Sequence, residues 1–167
     1  AAIIAPYQAT WAIAEGAVQN GVTLLRNTTV HAISKTEDGL FALTAKGKCI
    51  KARFVINAAG LYSDKISRMA GAREFTIVQR RGEYCLLDSN CSSLVNHVLF
   101  QCPDEKGKGV LVTQTVDGNI LIGPSADSVN NATEFYTGTS SESQEAVLKA
   151  ASKTVPIIPR RNIINSF

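Results

Sequence analysis

Two short strings in this 167-residue chain could do chemistry. The first is Gln79-Arg80-Arg81-Gly82-Glu83-Tyr84. A guanidinium presents planar donors that grip two oxygens of a carboxylate or phosphate at once, so an arginine facing a cavity is a candidate anion anchor. Neighbouring side chains of a strand point to opposite faces, so one of Arg80 and Arg81 can face such a cavity while the other faces away. An arginine on a solvated sheet edge satisfies the same pattern. The second string is Phe54-Val55-Ile56-Asn57-Ala58-Ala59-Gly60-Leu61-Tyr62-Ser63-Asp64, an apolar strand delivered into Ala-Ala-Gly and then a helix start. Gly60 has no Cβ, so a ligand can approach the backbone, and the first amides of the following helix are free to meet an anion. A phosphate-bearing cofactor fits such a junction, and so does a plain strand-to-helix turn.

Other reactive side chains are sparse. Cys49, Cys85, Cys91 and Cys102 form no Cys-x-x-Cys pair and lie near no histidine pair, which argues for free thiols over a metal site or a redox dithiol. His31 and His97 sit in or beside strands and are read as partly buried structural residues, neither of them a base. Seventeen Lys and Arg against 14 Asp and Glu leave a net charge of +3, too small and dispersed for a nucleic-acid or membrane-binding surface. A small anionic partner remains compatible. No apolar run approaches the ~20 residues of a membrane span and no leader is evident, so no integral membrane segment is expected. A cytoplasmic location is the default, with peripheral membrane association of a longer parent left open.

The elements that must position the two strings follow from periodicity and turn residues. Small and apolar residues at helical spacing predict a helix over 9–20, stopped by Asn20-Gly21. Strands are expected over 22–25, 28–35, 40–45 and 49–57, with turns at Glu37-Asp38-Gly39 and Lys46-Gly47-Lys48. The last three form an antiparallel meander that runs into Ala58-Ala59-Gly60 and a helix over 63–69. Beyond Gly71 the texture becomes strand-rich, with strands over 75–88, 96–101, 109–116 and 119–124 and a hairpin turn at Asp117-Gly118. A polar stretch over 128–143 precedes a helix over 142–153, ended by Pro156 and Pro159. The fold class is α+β, divided as 1–72, 73–160 and a return strand over 161–167, with a seam near 71–74.

The order of these segments resembles the flavoprotein superfamily of D-amino-acid oxidase and glycerol-3-phosphate dehydrogenase. The resemblance rests on Ile4-Ala5-Pro6-Tyr7, Asn27-Thr28-Thr29-Val30-His31-Ala32-Ile33, residues 55–64, and Arg80-Arg81-Gly82-Glu83-Tyr84 with Ile122-Gly123-Pro124-Ser125-Ala126 downstream. It spans nearly the whole chain and is strongest toward the branch of glycerol-3-phosphate dehydrogenases and L-2-hydroxyglutarate oxidases. It implies a partial FAD-binding region of meander plus helices, joined to an antiparallel substrate-binding sheet with helices. The parent would use FAD to oxidise a small anionic secondary alcohol by hydride transfer. Amine oxidation is the nearest alternative, and a non-catalytic binding module a more distant one.

The resemblance places Val30 near the adenine, and Ala58, Ala59, Gly60 and Leu61 close to FAD. Arg81 becomes the substrate arginine, with Glu83 and Tyr84 positioning it or lining the pocket, and Gly123 and Pro124 near the flavin ring and substrate. The family holds the FAD pyrophosphate on a Gly-x-Gly-x-x-Gly turn, which these 167 residues do not contain. Together with a start at Ala1 and an end just after the strand-like run 162–167, this predicts an internal piece of the enzyme. Such a piece would bind FAD weakly or not at all and leave the catalytic base and electron acceptor unassigned.

Overall fold

In a computed structural model that describes residues 2–103, 107, 109–129 and 138–167, the chain divides into two compact units. One is Gly16–Gln79; the other combines Ala1–Glu15 with Arg80–Phe167. The divide thus falls between Gln79 and Arg80, beyond the expected seam at 71–74. Half of the predicted polar stretch 128–143, residues 130–137, lies outside the described residues.

Helix α1, Pro6–Gln19, begins one turn earlier than the periodicity suggested. Proline suits a first helical position because its missing N–H has no intrahelical partner to lose. At the other end Gly21 takes φ +90°, and the Val22 amide donates back to the Ala17 carbonyl, which closes the helix. Residues 22–25, predicted to be a strand, join no sheet, with Val22, Leu24 and Leu25 exposed. Apolar composition without a neighbouring ladder does not make a strand.

The meander forms as read. Strands β1 (Val30–Lys35), β2 (Phe41–Ala45) and β3 (Lys48–Ala52) pair antiparallel in sequence order. Lys46 and Gly47, at φ +49° and +73°, supply the two positive-φ residues of a tight hairpin. A bulge between Val30 and Ala32 lifts His31 out of register, and His31 is exposed, not partly buried as predicted. The expected strand over 49–57 stops at Ala52, and Phe54 and Ile56 lie beyond it with most of their surface exposed. A 3-10 turn, Gly60–Tyr62, then leads into the seven-residue helix α2, Ser63–Met69.

The second unit holds the core. The expected strand over 75–88 is interrupted, leaving β4 (Arg80–Arg81) and β5 (Cys85–Leu87) on either side of Gly82-Glu83-Tyr84. Strands β6 (Leu111–Gln114) and β7 (Ile120–Gly123) form the predicted hairpin around Asp117-Gly118, and a short β8 (Asp127–Ser128) pairs with β4. Within the expected return strand over 161–167, β9 (Ile163–Ser166) pairs with β5, completing an antiparallel sheet of order β6-β7-β5-β9. The predicted strand over 96–101 reduces to a bridge between Leu99 and Val112, and His97 is exposed.

Helix α3, Ser141–Ala151, starts at Ser140, whose hydroxyl accepts from the Ser143 amide. It turns Val147, Leu148 and Ala151 onto Cys85, Leu87, Val112, Ile120 and Ile122 of the sheet. This is the two-layer arrangement a sheet with one apolar face requires. All four cysteines are free thiols, Cys49 and Cys102 exposed, Cys85 and Cys91 buried.

Candidate functional site

The break between β4 and β5 builds a tightly constrained cluster. Across from it, β7 ends at Gly123, which takes φ +146° and is joined to Pro124 by a cis peptide. The two segments pack so closely that a Cβ on Gly82 would lie 2.8 Å from Pro124 Cβ. A Cβ on Gly123 would lie 2.7 Å from the Glu83 carbonyl oxygen and 2.6 Å from the Tyr84 ring. Glycine at both places is a steric requirement. Ser125 closes the joint: its amide donates to the Glu83 carbonyl at 3.0 Å, and its hydroxyl accepts from the Glu83 amide at 3.1 Å. The same hydroxyl donates to Asp127 Oδ2 at 2.7 Å.

Within this frame Arg81 and Glu83, two residues apart, meet on one face. Arg81 Nη2 lies 2.8 Å from Glu83 Oε1. By distance this is an ion pair, but its angles fall outside hydrogen-bond geometry, and both Glu83 oxygens and Arg81 Nε are buried without a hydrogen-bond partner. The Glu83 side chain is 3% exposed and that of Arg81 33%. Arg80 is exposed, so Arg81 is the arginine drawn into the cluster. Tyr84 stacks on Phe167 at 5.7 Å, and their backbones exchange two hydrogen bonds that extend the β5–β9 ladder. Behind the pair, burial pushes the Cys85 thiol up, opposed by a hydrogen bond from Gln144 and reinforced by the charge of Glu83.

The predicted substrate residues Arg81, Glu83, Tyr84, Gly123 and Pro124 are therefore all in the sheet unit and around one joint. Ser125 and Asp127, which lock that joint, were not singled out. A hydroxyl immediately after Gly-Pro at a strand end was the available signal.

The predicted cofactor residues Val30, Ala58, Ala59, Gly60 and Leu61 belong to the other unit. Val30 opens β1, half-buried, opposite Ala45. Ala58, Gly60 and Leu61 are exposed and Ala59 half-buried. One expectation needs correction: the chain entering the junction is not a strand. The helix forms over Ser63–Met69 as predicted, preceded by the 3-10 turn Gly60–Tyr62. What holds the junction is Asn57, missed in the sequence: its Nδ2 donates to the Ser63 carbonyl at 2.8 Å and its Oδ1 accepts from the Ala59 amide at 3.3 Å. Gly60 takes φ +55° and has open space where a Cβ would be. Small side chains, a fixed turn and open ground suit the close approach of a flat or phosphate-bearing cofactor to the backbone. Asn57 also lines a cleft of about 310 Å³ between the meander and α2, with Lys35, Phe41, Ile66 and Ser67.

The FAD dependent oxidoreductase family profile matches residues 1–167. A glycerol 3-phosphate dehydrogenase of Caloramator mitchellensis is 41% identical over 99% of this chain and 34% of its own length. An L-2-hydroxyglutarate dehydrogenase of Escherichia coli O17:K52:H18 is 30% identical over 74% of this chain and 30% of its own length. Among solved structures, a dithionite reduced L-alpha-glycerophosphate oxidase from Mycoplasma pneumoniae with FAD bound superposes with a TM-score of 0.82 at 32% identity. That superposition covers 95% of this chain and 42% of the oxidase. The chain thus spans roughly a third of the length of the curated relatives it matches.

Proposed function

We propose, from the premise that this chain belongs to the FAD dependent oxidoreductase family, that its parent oxidises a small anionic secondary alcohol of the glycerol 3-phosphate or 2-hydroxyglutarate type. Arg81 is proposed to hold the substrate's anionic group. The observation that carries this reading is a partly exposed guanidinium beside a buried carboxylate, at a joint that two glycines allow to pack tightly. Relatives whose names specify anionic hydroxy compounds support it.

FAD, when bound, supplies a two-electron acceptor for the hydride on the carbinol carbon, so that the alcohol leaves as a ketone and its hydroxyl proton passes to a base. The residues of this chain orient and enclose. Arg81 offers planar donors to a phosphate or carboxylate. Tyr84, stacked on Phe167, forms an aromatic wall, and Gly123-Pro124 a rigid floor. Ala58, Ala59 and Gly60, braced by Asn57, would meet FAD through the backbone, with Val30 on the adenine side.

The test is anaerobic bleaching of the complete, FAD-loaded protein by a panel of hydroxy acids, glycerol 3-phosphate and amino acids. Bleaching by anionic secondary alcohols is expected. A colourless protein that takes up no FAD, or one bleached by amino acids alone, overturns the reading. Arg81→Ala is expected to raise the substrate KM 10- to 100-fold with FAD content unchanged, since charge-assisted hydrogen bonds are worth about 1.5–3 kcal/mol. An unchanged KM removes Arg81 from the site.

A further inference from the structure

We propose that Glu83 is a positioning residue that makes the arginine anchor selective: it sets the orientation of Arg81 and cancels its charge, so that substrate is held by fit and not by charge alone. The inference rests on the reading of Arg81 as the substrate arginine.

Three observations lead to it. Glu83 is almost wholly withdrawn from the surface whereas a third of the Arg81 side chain is exposed, so the carboxylate reaches a ligand only through the guanidinium. Its backbone cannot drift, because Ser125 bonds both its amide and its carbonyl, and Gly82 is pressed against Pro124. And the carboxylate makes a poor structural anchor: neither oxygen has a hydrogen-bond partner among the described residues, and its one strong interaction is the 2.8 Å approach of Arg81 Nη2. Buried carboxylates kept for stability alone are normally saturated with hydrogen bonds, and an apolar residue would cost less here. A charge fixed this firmly beside one edge of a guanidinium is the supporting contact a binding arginine needs in order to present its other donors in one direction.

The pair also brings the local charge near zero before a ligand arrives. A lone guanidinium attracts any small anion, whereas one that is oriented and already neutralised favours a ligand whose shape and remaining groups fit the walls. Substrate and bare inorganic phosphate should therefore respond in opposite directions when Glu83 loses its charge.

In the complete, FAD-loaded protein, Glu83→Gln is expected to raise the substrate KM about tenfold with kcat within about twofold. Calorimetry on the resting protein should show inorganic phosphate binding several-fold more tightly than to the parent. On an Arg81→Met background, Glu83→Gln should change neither quantity. Glu83→Asp keeps the charge but draws it back by one methylene; it should raise KM and leave phosphate affinity unchanged, and it carries the test if the glutamine variant does not fold. An unchanged KM in both Glu83 variants, a parallel weakening of substrate and phosphate, or a full Glu83→Gln effect persisting on the Arg81→Met background overturns the proposal. If Arg81→Met alone leaves KM unaltered, the assignment of Arg81 fails first, and the role of Glu83 with it.

Discussion

The sheet unit and the meander unit contain comparable apolar residues but bury them very differently. Every member of the main core, from Cys85 to Val155, belongs to the sheet unit, where α3 covers one face of four strands. In the meander unit Ile33 and Ala45 are the buried apolar residues among those described, and Phe54, Ile56, Leu24 and Leu25 stand more than half exposed. Sequence hydrophobicity does not distinguish the two; layering does. Two layers enclose side chains from both sides, whereas three strands and a seven-residue helix enclose few. The candidate sites inherit this difference. The Arg81 cluster is interlocked by glycines, Ser125 and a buried carboxylate, while the Ala58–Gly60 turn depends on the single side chain of Asn57.

Substitutions matched across the two units test the contrast, the most damaging first. Gly123→Ala combines a positive-φ strain with a Cβ forced against the Glu83 carbonyl and is expected to lower unfolding free energy by about 4 kcal/mol. Urea denaturation measures it, and a loss below that of Gly60→Ala would break the comparison. Leu87→Ala opens a cavity beneath α3 and should cost about 3 kcal/mol. Its counterpart Phe54→Ala, 82% exposed, should stay within about 0.5 kcal/mol. Gly60→Ala meets only the backbone strain of φ +55°, about 1 kcal/mol, because nothing occupies the space a Cβ would take.

Thiol labelling sharpens the contrast without altering the fold. Cys49 and Cys102 should react in the native protein, Cys85 and Cys91 only on unfolding, and Cys85 should show the least thiolate at mildly alkaline pH because burial raises its pKa. Rapid native labelling of Cys85 would mean that the sheet unit opens far more readily than its packing implies. The smallest effect is expected at the surface pair of Arg160 with Glu145. The hydrogen bond from Arg160 holds the Glu145 carboxyl below its usual range. Its contribution is therefore complete above the ordinary carboxylate pKa and fades as pH falls through the lowered one. Being solvent-exposed, it should move the melting temperature of Glu145→Gln barely beyond error at neutral pH.

Local rules carried much of this fold into the sequence. Lys46-Gly47, Glu37-Asp38-Gly39 and Asp117-Gly118 announce their turns because few residues tolerate positive φ, and the meander and the β6–β7 hairpin follow from them. Helix α3 is legible between the polar stretch before it and the prolines after it, and the family from the order of the four motifs. Other features depended on partners far along the chain. Residues 22–25 and 54–57 have strand composition but find no ladder, and 75–88 breaks where Gly82 meets Pro124, more than forty residues away. Asn57 looked like an ordinary strand residue until its two hydrogen bonds were in view.

The sequence by itself determined that an arginine at 80 or 81 could hold an anion and that Ala58-Ala59-Gly60 could admit a cofactor, because both depend on residue type and local alternation. Which arginine, what orients it and what fixes the turn were decided only by tertiary structure. Those answers depend on the meeting of β5 with the end of β7, on the Ser125 clamp, and on the withdrawal of Glu83 from solvent, where an unsolvated charge interacts strongly with whatever lies beside it.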